Sequence, residues 1–277
     1  MLNLIKMNLY RFFKTRVFYT TLLITVIGFG LLARLETEPS VQDTNQQIEQ
    51  EEHVGIVASE EVTSTTSLEE LFASFASSGF ILIMTGVFAI VYSEEERKSG
   101  FLKNLLTSRK DKKNIFASKI LIVLLYALFM FMGALLAIRI GSLGRGAGMY
   151  TVHSWLALIR FIVFEVILHT VFGIAMMSMY EITRNTIIPT MIAIFGASNL
   201  HGMLLYLLEG KLVSKFHSLA GFMDKYALSN NLIVTKIGEL GDIGMPFPYL
   251  NVIIVMTIGL VFYSVIGMFI FTKRDTI

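Results

Sequence analysis

The sequence predicts an all-helical membrane protein with six transmembrane helices, an interfacial helix at the N-terminus and both termini in the cytoplasm. Its 277 residues are 54% hydrophobic and only 16% charged, and the mean hydropathy is +0.66. Because the charges are clustered, they leave apolar runs close to the ~20 residues that a helix needs to cross a bilayer. The predicted spans, which form one transmembrane domain over residues 1–277, cover residues 17–35, 71–92, 120–138, 155–180, 186–208 and 248–272.

The distribution of Lys and Arg predicts the orientation, because cytoplasmic loops of membrane proteins are enriched in these residues. With the N-terminus inside, the predicted cytoplasmic segments hold 15 Lys/Arg, and the predicted outer segments with their flanks hold 8. The loop at 139–154 is basic although this topology places it outside. The first span is expected to be retained, since residues 28–33 lack a clear small-x-small cleavage site.

Residues 1–16 are predicted to form an amphipathic helix that lies in the membrane interface before the first span. An alternative is a basic flank that only sets the topology. The predicted helix carries its apolar side chains on one face and its cations away from that face. The apolar positions are Leu2, Ile5, Leu9, Phe12 and Phe13, and the cations are Lys6, Arg11 and Lys14.

Residues 36–70 form a predicted outer loop of very different composition, with ten Asp/Glu and no Lys or Arg. Such a segment is typical of a solvated loop that serves solubility alone. The functional alternative is an electrostatic lure that concentrates cationic ligands near the outer mouth of a transport route.

The predicted cytoplasmic loop at 93–119 holds eight Lys/Arg and four Asp/Glu. Within it, four apolar side chains fall on one helical face, whereas Lys103 and Asn104 lie off that face. A short amphipathic helix on the cytoplasmic side of a membrane bundle is suited to binding a soluble partner. The apolar face consists of Phe101, Leu102, Leu105 and Leu106.

This loop resembles the cytoplasmic loop of permease subunits in the ABC-2 family of ABC transporters. In that family an acidic/basic cluster precedes Gly-Thr-Leu, a Leu-rich turn, a basic residue and a Lys that opens the third span. The corresponding positions here are Glu96-Arg97, Gly100-Phe101-Leu102, Leu105-Leu106, Lys112 and Lys119. The Pro that often precedes the basic residue is missing, and Arg109 takes its place.

The resemblance implies a complex of two permeases and two ATPase subunits, in which this chain is one permease paired with itself or a relative. ATP-Mg would bind the ATPase subunits, and this chain would bind no cofactor. The ATPase would dock on the loop at 97–112 and on the N-terminal helix, and transport would run outward. The implied ATPase-coupling residues are Glu96, Arg97, Gly100, Phe101, Leu102, Leu105, Leu106 and Lys112.

The fourth predicted span contains ionisable side chains inside an otherwise apolar helix. Trp155 is predicted to anchor its outer end, and Arg160, Glu165 and His169 follow. Glu165 and His169 are four residues apart and therefore share a helical face near the middle of the span. Because such groups are costly in a bilayer, they usually face protein or water. The pair is predicted either to line the translocation route or a subunit interface, or to form a hydrogen-bonded pair that only fixes packing.

The fifth predicted span carries Gly and polar residues at 196–202, which predicts a weakened or broken helix. Asn199 and His201 lie there and are weaker candidates for a substrate-facing surface. Residues 209–247 follow as an outer or re-entrant segment, as in ABC-2 permeases. A short amphipathic helix is expected there around residues 216–223.

No Walker A motif, His-Glu-x-x-His or Gly-x-Ser-x-Gly occurs in the chain, so we expect a transport subunit and not an enzyme. Nothing in the sequence predicts a metal site or nucleic-acid binding. The expected partners are an ATPase dimer, a second permease and the lipid of a bacterial cell membrane. The expected cargo is an amphiphilic peptide, as for permeases of bacteriocin immunity and peptide export. A lipid or drug exporter, and an ATP-independent carrier or channel, are the alternatives.

Overall fold

The computed structural model describes residues 2–36, 68–100, 112–141, 152, 154–198, 200–219, 221, 227–241 and 249–273. These residues contain ten α-helices and no β-strand, which confirms the all-helical fold class. In chain order the helices are α1 (Leu2–Phe12), α2 (Arg16–Glu36), α3 (Leu68–Ser77), α4 (Phe80–Lys98), α5 (Lys112–Gly141), α6 (Trp155–Thr183), α7 (Ile187–Ala197), α8 (Leu200–Lys215), α9 (Ile233–Leu240) and α10 (Tyr249–Lys273).

Four of these helices, α2, α5, α6 and α10, are long and apolar enough to cross a membrane. Two further candidates are bent pairs: α3 and α4 meet at 49°, and α7 and α8 meet at 68°. The described residues thus contain four candidate spans, or six if each bent pair is counted as one. The break between α7 and α8 confirms the broken helix that residues 196–202 predict.

The break between α3 and α4 was not predicted, since residues 71–92 read as one uninterrupted apolar run. It lies at Gly79, whose φ of +84° belongs to the left-handed region that favours glycine. A Cβ atom at Gly79 would lie 2.5 Å from the carbonyl oxygen of Ala197, at the end of α7. The bend therefore lets the start of α4 pack directly against the backbone of α7.

Helix α6 forms the centre of the bundle, with α4, α5, α7 and α10 packed around it and α2 outside α5. In the most apolar 18-residue stretch of α6, 61% of the residues are buried inside the protein, compared with 11% in α10. Helix α6 therefore lies in the core and α10 at the periphery. Small residues permit this packing, because a Cβ at Gly173 would lie 2.6 Å from Val123 of α5.

Contacts between chain-distant residues identify the two ends of the bundle. At one end Lys112 Nζ, at the start of α5, donates a hydrogen bond to the carbonyl of Thr272, in the last turn of α10 (3.2 Å). At the other end Arg160 Nη1 donates to the hydroxyl of Tyr249, at the start of α10 (3.1 Å). We name these the loop end and the opposite end. Which of them faces the cytoplasm stays a prediction.

The segment after the fifth predicted span begins later than predicted. The sequence places its start at residue 209, but α8 continues to Lys215, and α9 follows at 233–240. The helix expected at 216–223 stays a prediction, because Phe222 and Met223 lie outside the described residues, and a 3₁₀ turn covers His217–Leu219. In α1, the buried face comprises Leu4, Asn8 and Phe12, whereas Phe13 is exposed.

Candidate coupling site at the loop end

Glu96 lies at the centre of a buried ion network at the loop end of the bundle. It occupies the last turn of α4, and its carboxylate is fully buried. One carboxylate oxygen lies 3.0 Å from Arg11 Nη1 of α1, and the other lies 2.6 Å from Lys119 Nζ of α5. A single side chain of α4 thus connects the N-terminal helix to the third predicted span.

Lys119 extends the network to α6 and α10. Its side chain is fully buried, and Nζ donates a hydrogen bond to Glu181 Oε1 near the end of α6 (3.3 Å). The same ammonium group lies 4.6 Å from the ring centroid of Phe271 in α10, within the range of a cation–π contact. Five helices therefore meet at the coupling network, which we define as Arg11, Glu96, Lys119 and Glu181.

The charges of the coupling network balance when all four side chains are ionised. An isolated ion in a low-dielectric environment is very costly, so buried charges persist where partners and hydrogen bonds compensate for lost hydration. Here each cation contacts a carboxylate, and Glu96 contacts both cations. The arrangement is consistent with a fixed polar junction in an otherwise apolar bundle.

Further polar contacts attach α1 to the bundle. Arg11 Nη2 donates to the carbonyl of Tyr92 (3.1 Å), and the guanidinium lies 4.5 Å from the centroid of the Tyr92 ring. One turn before Arg11 in α1, Asn8 Nδ2 donates a hydrogen bond to the hydroxyl of Ser118 in α5 (2.6 Å). The N-terminal helix is therefore bound to α4 and α5 through polar side chains, in addition to its apolar contacts.

The coupling network lies at both ends of the loop that the sequence singles out. Glu96 precedes residues 101–111 and Lys119 follows them. Arg97 is exposed, and Gly100 has a φ of +67°, which favours glycine where the chain leaves α4. Phe101, Leu102, Leu105 and Leu106 lie outside the described residues, so their amphipathic helix stays a prediction.

Sequence reasoning missed Arg11 and Glu181 as partners in the coupling network. The sequence predicts Arg11 on the polar face of an interfacial helix and Lys119 only as the residue that opens a span, and it assigns no role to Glu181. A usable signal existed, because all four charges adjoin apolar runs on the same predicted side of the membrane. The Arg11–Glu96 pair, however, joins residues 85 positions apart, and the Lys119–Glu181 pair joins residues 62 positions apart. The local spacing of the sequence therefore predicts neither pair.

Glu165 and His169 lie on one face of α6, as predicted, and both are fully buried. His169 Nδ1 lies 3.1 Å from a carboxylate oxygen of Glu165 and 2.8 Å from the Glu165 carbonyl. The imidazole packs edge-on against Phe131 of α5, with ring centroids 4.8 Å apart. The pair is thus enclosed by protein near the middle of α6, and its role stays a prediction.

The remaining candidates are less defined. Asn199 lies outside the described residues, and so does the side chain of His201. Arg160 is exposed at the opposite end of the bundle, where it bonds to Tyr249. Among the described residues, no group of three or more His, Asp or Glu side chains could hold a metal ion.

A comparison of the sequence with known protein families identifies the family of this chain. The profile of the family described as ABC-2 family transporter protein matches residues 52–198, which is more than half of the chain. The chain belongs to the ABC-2 transporter family. No curated protein matches the sequence.

Membership of the ABC-2 family makes the chain a multi-pass membrane subunit of an ABC transporter, of a kind that lacks a nucleotide-binding domain and typically partners with an ATPase. The matched region runs from within the acidic segment to the end of α7. It contains Glu96, Lys119 and Glu181, whereas Arg11 lies before it. Three of the four residues of the coupling network therefore lie in the part of the chain that the family profile matches.

Proposed function

We propose that this ABC-2 subunit is the permease of an exporter that expels an amphiphilic substrate, powered by a separate ATPase dimer. The observation that carries the proposal is the coupling network at the two ends of residues 101–111. A second permease, either another copy or a relative, would complete the transport route. The proposed location is a bacterial cell membrane with both termini in the cytoplasm.

The coupling network supports this mechanism because of its position. Glu96 and Lys119 stand on either side of the loop on which the ATPase would dock, and they contact each other. A displacement of the loop therefore acts on α4 and α5 together. Arg11 and Glu181 extend the displacement to α1 and α6, so these four helices move as one unit. ATP-driven closure of the two ATPase subunits would in this way tilt each permease and open the route outward.

Docking on the loop is tested by a matched pair of substitutions. Leu105→Glu places a carboxylate on the predicted apolar face, and Asn104→Glu adds the same charge next to it, off that face. We expect L105E to abolish co-purification of the ATPase and N104E to preserve it, because docking depends on the apolar side chains. Equal co-purification of both variants would contradict the docking proposal, provided that both reach the membrane in equal amounts.

For the substrate we propose a cationic amphiphilic peptide, such as an antimicrobial peptide. The support is the segment at 36–70, whose ten Asp/Glu would attract such a peptide. Glu49, Glu51 and Glu52 are replaced by Gln in the test, and the protection of intact cells against an externally added cationic peptide is measured at low and high salt. We expect the loss of protection to be largest at low salt, because salt screens such attraction. A loss independent of salt, or none, would argue against the lure.

An ATP-independent carrier is the second candidate, and it is favoured by the buried Glu165–His169 pair. Ionisable pairs at that depth are typical of proton relays in secondary transporters. Proteoliposomes that contain the permease without its ATPase distinguish the two functions. Transport driven by a pH gradient alone would favour the carrier, and transport that requires ATP and the ATPase favours the exporter.

A further inference from the structure

The Glu165–His169 pair leaves most of its polar atoms without a hydrogen-bond partner. Both side chains are fully buried. His169 Nδ1 lies 2.8 Å from the backbone carbonyl oxygen of Glu165 and 3.1 Å from a carboxylate oxygen of the same residue. Among the described residues, no donor bonds to either carboxylate oxygen, and His169 Nε2 has no partner. The pair is therefore a buried polar site that its own contacts do not satisfy.

The backbone carbonyl determines which nitrogen of the His169 imidazole carries hydrogen. A carbonyl oxygen can only accept a hydrogen bond, so Nδ1 is the donor. This hydrogen points to the carbonyl, and the carboxylate oxygen at 3.1 Å accepts no hydrogen bond from it. An imidazolium would carry a second hydrogen on Nε2, buried without an acceptor in the described part of the chain. The contacts of His169 therefore favour its neutral form.

The surroundings of Glu165 differ from those of Glu96, which is also fully buried. Glu96 contacts the cations of Arg11 and Lys119 at 3.0 and 2.6 Å. Glu165 has no such cation, and the N–H group beside it is used by a backbone carbonyl. A buried charge without compensating hydrogen bonds is very costly, and a carboxylate in such a place becomes neutral by binding a proton. Burial thus favours a charged Glu96 and a neutral Glu165.

The helices packed around α6 supply no second charge to the pair. Of the ionisable side chains in the described ranges, only that of His169 interacts with the Glu165 carboxyl. Helix α5 contributes the apolar ring of Phe131, and α7 has no ionisable residue. The charged side chains of α3, α4, α5 and α10 lie towards the ends of these helices. Helix α9 carries the buried Lys236, whose ammonium group contacts Glu239 at 2.7 Å.

We propose that the Glu165–His169 pair is a proton-binding site, in which the Glu165 carboxyl holds a proton at neutral pH beside a neutral His169. Water that reached the pair would accept this proton, because a hydrated Glu has a pKa of about 4.3. The carboxyl O–H bond would break, the proton would pass to water, and the carboxylate would remain. The site goes beyond the proposed export function, because the closed chain binds the proton whichever way transport is powered.

Unfolding exposes the pair to water and therefore counts the bound proton. The detergent-purified native chain and Glu165→Gln are unfolded at about pH 6 and about pH 7, where the unfolded Glu is ionised. We expect the unfolding constant of the native chain to rise about tenfold more per pH unit than that of E165Q, because only the native chain loses this proton on unfolding. An equal pH dependence of the two proteins would overturn the proposal.

Infrared difference spectra locate the proton within the pair. The spectrum of the native chain minus that of E165Q, recorded in bilayers at neutral pH, should contain the C=O band of a protonated carboxyl group. Glu181→Gln is the matched control, because Glu181 also belongs to α6 but contacts Lys119 at 3.3 Å. Its difference spectrum should contain a carboxylate band. A carboxylate band in the E165Q difference spectrum would show an ionised Glu165 and overturn the proposal.

A third measurement needs no variant and therefore does not depend on the folding of E165Q. The native chain is labelled with ¹⁵N in its five histidines and with ¹³C in its phenylalanines, and solid-state NMR spectra are recorded in bilayers. At about pH 5 an imidazole in water is protonated, because its pKa is about 6.5. His169 is identified by its contact with the Phe131 ring, whose centroid is 4.8 Å away. We expect hydrogen on its Nδ1 alone, and hydrogen on both nitrogens would contradict the proposal.

Discussion

Lys119→Met tests the coupling network most directly, because this substitution removes the cation that lies between two carboxylates. Methionine keeps the length and much of the volume of the lysine side chain, so the effect reports the charge. Glu96 retains Arg11 at 3.0 Å, but it loses its 2.6 Å contact, and Glu181 loses its bond to Lys119. The substitution therefore leaves a net negative charge in a buried junction.

The size of the effect follows from the burial of these groups. Removing one partner of a buried ion pair costs roughly 3–5 kcal/mol. The side chains of Glu181 and Arg11 are 10% and 18% exposed, so water can partly compensate the remaining charge. We therefore expect K119M to lower the free energy of unfolding by about 3 kcal/mol, at the lower end of that range.

The measurement is unfolding of the detergent-purified chain, followed by circular dichroism of its helices. Lys98→Met is the matched control, because Lys98 pairs with Glu94 at 2.7 Å at the same end of the bundle but is 74% exposed. Exposed pairs contribute little, so K98M should leave the free energy of unfolding nearly unchanged. A K119M protein as stable as K98M would refute the reasoning.

The double variant K119M/E181Q supplies a second criterion. It removes one positive and one negative charge and leaves the Arg11–Glu96 pair intact. Because residues of one network are coupled, the double variant should be less destabilised than the sum of its single variants. In the complex with its ATPase, we expect it to fold and yet lose substrate-stimulated ATP hydrolysis. Additive effects on stability would show that the four charges do not act as a network.

Two further predictions concern the core and the topology. Glu165→Ala and His169→Ala should each lower the thermal stability, because removing one partner leaves the other polar and buried. The double variant should lose less stability than the sum of the two single losses. Additive losses in this double-mutant cycle would argue against a coupled pair. The chain has no Cys, so Gln47→Cys gives one labelling position in the segment predicted to lie outside. An impermeant maleimide should label it in intact cells, and labelling only after lysis would reverse the predicted orientation.

The spans of this protein follow from its sequence because they depend on local composition. Long apolar runs such as 120–138 and 248–272 cannot leave their backbone groups unpaired in lipid, so each becomes a helix wherever it packs. The spacing of Glu165 and His169 likewise fixes their common face, since positions four apart adjoin on any α-helix.

Tertiary packing decided which of these helices meet and where they bend. The contacts of Arg11 with Glu96, and of Lys119 with Glu181, join separate helices whose neighbours no local pattern encodes. The bend at Gly79 exists because α4 approaches the backbone of Ala197, a residue far away along the chain. Composition thus determined the helices, whereas the coupling network arises only from the way in which the other helices pack around α6.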